Sequence, residues 1–105
     1  MNLEYIGIYH DCNLPMEGKL LVSYINETEI IIRYDEEHPF RITQISILLE
    51  HSEQMTLYET FKCDYLAATE VDAKAFATSF AELILNYRKE YGSYLDGLKY
   101  RDPLK

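Results

Sequence analysis

Tryptophan is absent from this chain of 105 residues, cysteine is scarce and cations are few, and each shortage removes a class of answers. The two cysteines, Cys12 and Cys63, lie far apart with no second pair, so neither a disulfide framework nor a paired zinc motif can be assembled from them. Both read as reduced thiols. Ten lysines and arginines stand against 18 acidic residues, a net charge of −8. A surface that neutralises phosphates needs a basic footprint, so direct nucleic-acid binding is not expected, and an anionic membrane surface is disfavoured for the same reason. No apolar run is long enough to cross a bilayer. Met1 is not followed by a basic, apolar, small-residue leader, so the expected compartment is the cytoplasm and Asn26-Glu27-Thr28 is an idle glycosylation sequon.

What remains is an ordinary globular composition, 48% apolar, in a chain of one-domain length spanning residues 1–105. Such a chain buries about two-thirds of its unfolded surface without metals or disulfides. The strongest periodic stretch is Asp72 to Tyr91, where Phe76, Phe80, Leu83, Ile84, Tyr87 and Tyr91 recur at helical steps beside Ala73, Ala77 and Ala81. Asp72 is the expected N-cap, with Val71 and Phe76 at the spacing of a hydrophobic staple. Arg88 and Lys89 suit the negative end of the helix dipole, and Gly92 supplies the left-handed stop. Ser93 and Asp96 have capping-box spacing for a short helical turn over 94–99, followed by a tail over 100–105.

Before the helix the pattern is β. Strands are expected at about 3–9, 19–25, 29–34, 41–50 and 55–66, the last alternating most clearly. His10 to Gly18 reads as a long loop, Asn26 to Thr28 as a hairpin turn, and Asp35 to Pro39 as a charged turn. The sum is an α+β domain with a mainly antiparallel five-stranded meander sheet covered by one long C-terminal helix. A partly closed barrel capped by the helix is the variant. In outline it resembles the pleckstrin-homology architecture, but this acidic chain lacks the basic lipid-binding rim and has fewer strands, so no function is carried across.

Three groupings invite chemistry. His10-Asp11-Cys12 holds the material of a Cys/His nucleophile pair, yet adjacent residues on a loop do not face one another, and a surface role is favoured. Asp35-Glu36-Glu37-His38 offers hard-cation ligands in a consecutive run with no glycine for the sharp turn of a calcium loop, so a solvated turn is favoured. His51, in a polar turn with Glu50 and Glu53 nearby, is given no role. No catalytic residue, cofactor or metal ligand is expected. Ten tyrosines are the remaining oddity. Those on the helix are expected to pack inward, while tyrosines on strands are candidate interface anchors.

Acidity is concentrated ahead of Ala73, where the only cations are Lys19, Arg33, Arg41 and Lys62. A negative sheet region of this kind steers a basic partner. The expected function is therefore stoichiometric binding by a small acidic interaction protein, of the inhibitor or immunity type. Its expected partner-binding residues are Glu27, Glu29, Tyr34, Asp35, Glu36 and Glu37. Strands this apolar on both sides need either closure or a partner, of which a homodimer is the simplest. The competing expectation is a small enzyme or ligand-binding domain with His10, Cys12 or Glu59 lining a pocket between sheet and helix.

Overall fold

The computed structural model describes residues 3–10, 19–38 and 40–92. Its elements run β1 (Leu3–His10), β2 (Lys19–Ile25), β3 (Thr28–Tyr34), β4 (Arg41–His51), β5 (Thr56–Leu66) and α1 (Glu70–Tyr91). The expected helical turn at 94–99, the tail, and Asp11 and Cys12 lie outside the described residues. Strands β2 to β5 form an antiparallel meander, and β1 adds to the outer side of β5, giving the order β1-β5-β4-β3-β2. Every neighbouring pair is antiparallel, so β1 and β2 point the same way at opposite edges. The sheet is open. That replaces the barrel variant, because strands that are edges cannot also pair to close a cylinder.

Helix α1 covers one face. Ile30, Ile32 and Tyr34 of β3, Ile42, Ile45 and Ile47 of β4, and Phe61 and Cys63 of β5 form one core with Ala73, Ala77, Phe80, Ala81 and Ile84. The three alanines are fully buried, which lets the helix backbone lie close over the isoleucine rows. Phe61 sits at the centre, edge-on to Phe80 with centroids 4.9 Å apart and tilted against Tyr5 at 5.3 Å.

The helix starts earlier than Asp72. Thr69 is the N-cap, its backbone extended at φ −145 and ψ 169, and its hydroxyl accepts the Asp72 N–H at 3.1 Å. Asp72 is instead the third helical residue, and its carboxylate ties the entry together by accepting the Ala68 N–H at 3.1 Å and the Tyr65 hydroxyl at 3.0 Å. Starting there turns Val71 outward, 77% exposed, so no staple forms. Leu83, expected in the buried stripe, is 67% exposed because the alanines set the face that meets the sheet. Gly92 at φ 82 ends the helix and donates to the Arg88 carbonyl at 2.8 Å.

Glu59 interrupts the apolar alternation of β5 and points to the helix side, where it is completely buried. Arg88 reaches it from the last helical turn with Nε 2.8 Å from Oε1, and donates to the carbonyls of Leu48 at 2.7 Å and Ile47 at 3.3 Å. A planar fork that meets one carboxylate and two carbonyls satisfies a charge that would otherwise be stranded.

Candidate functional site

The face away from the helix carries the features that packing does not explain. Register places Leu20, Arg33, Gln44, Lys62 and Glu4 in one cross-strand row, and Val22, Ile31, Ser46, Thr60 and Gly7 in the next. Ser46 and Thr60 are buried there and share a hydrogen bond of 3.0 Å. A further row holds Tyr24 opposite Glu29 and Leu48 opposite Tyr58, with Tyr9 beyond. Tyr24, Glu27, Glu29, Leu48, His51, Thr56 and Tyr58 line a groove of about 330 Å³ at this end of the sheet.

Strand β5 fixes the floor. Tyr58 is 5% exposed and donates its hydroxyl to Oε1 of Glu29, which holds that half-buried carboxylate in place. The ion pairs among the described residues are Arg41 with Asp64 and Arg88 with Glu59, so none of the described cations pairs with the Glu29 carboxylate. The far wall is pinned by His51, whose Nδ1 lies 2.8 Å from the Thr56 hydroxyl. Tyr24 is 64% exposed on the edge strand and presents its ring to solvent.

The hairpin between β2 and β3 supplies Glu27. Ile25 pairs with Thr28 across a two-residue turn in which Asn26 has φ 48 and Glu27 has φ 70. Positive φ at both central positions matches the right-handed twist of the strands, and glycine is the residue that adopts it freely. A glutamate there costs about 1–2 kcal/mol of local strain. The two-residue hairpin demands this geometry, and it carries the Glu27 side chain to the groove.

The expected partner-binding residues fall into three places. Glu27 and Glu29 meet at the groove. Asp35, Glu36 and Glu37 sit at the other end of β3, about 20 Å away along a strand of seven residues. There Asp35 Oδ1 accepts the Glu37 N–H at 2.7 Å and organises the turn, and Glu36 and Glu37 are exposed. Tyr34 is a core residue, 3% exposed on the helix side, so it is corrected from an interface anchor to a packing residue. Burial, and secondarily the nearby Glu70, push its hydroxyl above the ordinary tyrosine range. Sequence reasoning missed Tyr24 and Tyr58 as a pair, because only strand register brings them to one groove.

The competing expectation puts His10, Cys12 or Glu59 on a pocket between sheet and helix; Cys12 lies outside the described residues. Among the described residues a cleft of about 390 Å³ beside the helix is lined by Ile25, Asn26, Thr28, Glu82, Leu85, Asn86 and Lys89. Glu59 is instead taken up by Arg88, and His10 is exposed at the end of β1. Among the described residues no group of three or more His, Cys, Asp or Glu side chains is placed to hold a metal, and no helix is long and apolar enough to cross a membrane. Compared with known proteins, the chain matches no family model, no curated protein and no solved structure.

Proposed function

We propose that this is a small acidic interaction protein that acts by stoichiometric binding, as inhibitors and immunity-type proteins do, and that its groove takes a basic side chain from a partner protein. The observation that carries this reading is the Glu29 carboxylate, held by Tyr58 and with no ion pair to a cation among the described residues, in a groove shared with Glu27 and Tyr24. A lysine ammonium or arginine guanidinium entering there meets Glu29 on one side and the exposed Tyr24 ring on the other, combining an ion pair with a cation–π contact. The surrounding negative charge raises the rate of encounter, and the aromatic anchors slow dissociation.

Capture from the source cell's lysate tests this with wild type, a Glu27→Lys/Glu29→Lys variant and an Asp35→Lys/Glu36→Lys/Glu37→Lys variant, each at low and high salt. The expected result is a basic partner held by wild type, weakened by salt, lost with the groove variant and retained by the turn variant at reduced on-rate. Equal capture by wild type and groove variant would sink the groove. Loss with the turn variant alone would move the site to the other end of β3.

A further inference from the structure

We infer that β2 is a self-association edge, and that two copies of this chain pair β2 to β2 in antiparallel register centred on Val22. The inference does not rest on the proposed function, but Tyr24 belongs both to the groove and to this edge. It starts from the hydrogen-bond parity of the hairpin. Ile25 and Thr28 close a two-residue turn as a hydrogen-bonded pair, so Lys19, Leu21, Ser23 and Ile25 direct their backbone groups toward β3. Leu20, Val22 and Tyr24 therefore direct theirs outward, along an edge that no described strand covers.

An open edge of this kind is ordinarily blunted by a charge, a proline or a bulge. From Leu20 to Ile25 the edge has none of these, and Val22 and Tyr24 are 49% and 64% exposed. The opposite edge is protected: β1 carries Glu4 and a bulge between Tyr5 and Gly7, where Gly7 has φ 133. One edge that no described strand covers and one blunted edge make pairing stop at two copies instead of propagating.

The strand is complementary to itself. With Val22 opposite Val22 of the second copy, Leu20 falls opposite the second copy's Tyr24 and Tyr24 opposite its Leu20. Each of these positions has outward backbone groups, so every pair exchanges both bonds, whereas a shift along the edge leaves some of them unpaired. The side chains of Leu20, Val22 and Tyr24 share the helix-free face and would form one apolar ridge across the junction. Charge does not set the direction, because Lys19 pairs with Tyr34 and the acidic Asp35, Glu36 and Glu37 lie just beyond it, at the opposite end of the hairpin from Glu27 and Glu29. The antiparallel direction rests on the backbone register. The twofold axis is perpendicular to the joined sheet, so both grooves open on the same face and the pair is bivalent.

Sedimentation of the full chain from micromolar to millimolar concentration tests the pairing, together with Val22→Lys and, in a Cys12→Ser background, Val22→Cys. Wild type is expected to shift from monomer to dimer, Val22→Lys to stay monomeric with an unchanged circular dichroism spectrum, and Val22→Cys to form an interchain disulfide under mild oxidation. Paired Cα atoms at the axis would lie about 5.5 Å apart, within bridging range, and the remaining thiol at Cys63 is buried. A wild type that stays monomeric, a dimer that survives Val22→Lys, or a Val22→Cys chain that does not cross-link would overturn the inference. If Val22→Lys fails to fold, the cross-link decides alone.

Discussion

Two buried side chains show how single residues set the limits of this molecule. Glu59 is fully buried and Arg88 is its counterion, so removing Arg88 leaves a carboxylate in the core without that cation. Arg88→Ala is expected to cost about 3–5 kcal/mol in urea unfolding, a large share of the total stability of a small domain. Arg88→Lys should recover only part of it, because an ammonium cannot also reach the Ile47 and Leu48 carbonyls in one plane. The second residue is Cys63, 5% exposed, whose thiol is pushed up to about 12 from an ordinary 9.0 by burial first and by Asp64 second. In the folded chain it stays protonated where the unfolded thiol ionises. Its contribution is therefore complete below pH 9 and is lost as pH rises toward 12, by up to about 1.4 kcal/mol per unit. Thiol-reagent kinetics check the same point: Cys63 should be unreactive in native protein and react at the rate of unfolding, and fast native labelling at pH 8 would contradict its placement.

Elements add constraints that no residue carries alone. The alanines of α1 are small because the helix lies against isoleucines, so Ala77→Leu is expected to destabilise by about 1–3 kcal/mol through overpacking, seen as a drop in the melting temperature. An unchanged melting temperature would show that the helix has room to move away. The β2–β3 turn gives a prediction of opposite sign. Glu27→Gly relieves the positive φ and is expected to stabilise by about 1 kcal/mol while weakening partner capture, which separates folding from function at one position. Much of this scale was legible beforehand: alternation in β5, the alanine and phenylalanine spacing in α1, and Gly92 as its stop all follow from local periodicity. The helix start was not, because Thr69 and Asp72 are both competent caps and the choice rests on Tyr65 and Ala68 contacting Asp72 from outside the helix. Tyr34 was misplaced for a similar reason. Its neighbours in sequence are charged, and only the register with Ile42 shows which face of the sheet it joins.

For the whole molecule, charge separates the two proposed associations by their response to salt. Binding of a basic partner at the groove should weaken as salt screens the attraction, whereas two chains of net charge −8 repel one another and should pair more readily as salt rises. Sedimentation and partner capture run over the same salt series test both, and a dimer that weakens with salt would mean that ion pairs rather than backbone bonds hold it. By itself the sequence determined the class of fold, the number of strands, the covering helix and the excess of negative charge, because all of these follow from composition and from patterns shorter than one element. It did not determine that β1 lies beside β5, that Glu59 answers Arg88, or that Tyr24, Glu29 and Tyr58 share a groove. Those were decided by tertiary structure alone, since each depends on which strands are neighbours and in what register, and contacts between residues distant in the chain leave no trace in local periodicity.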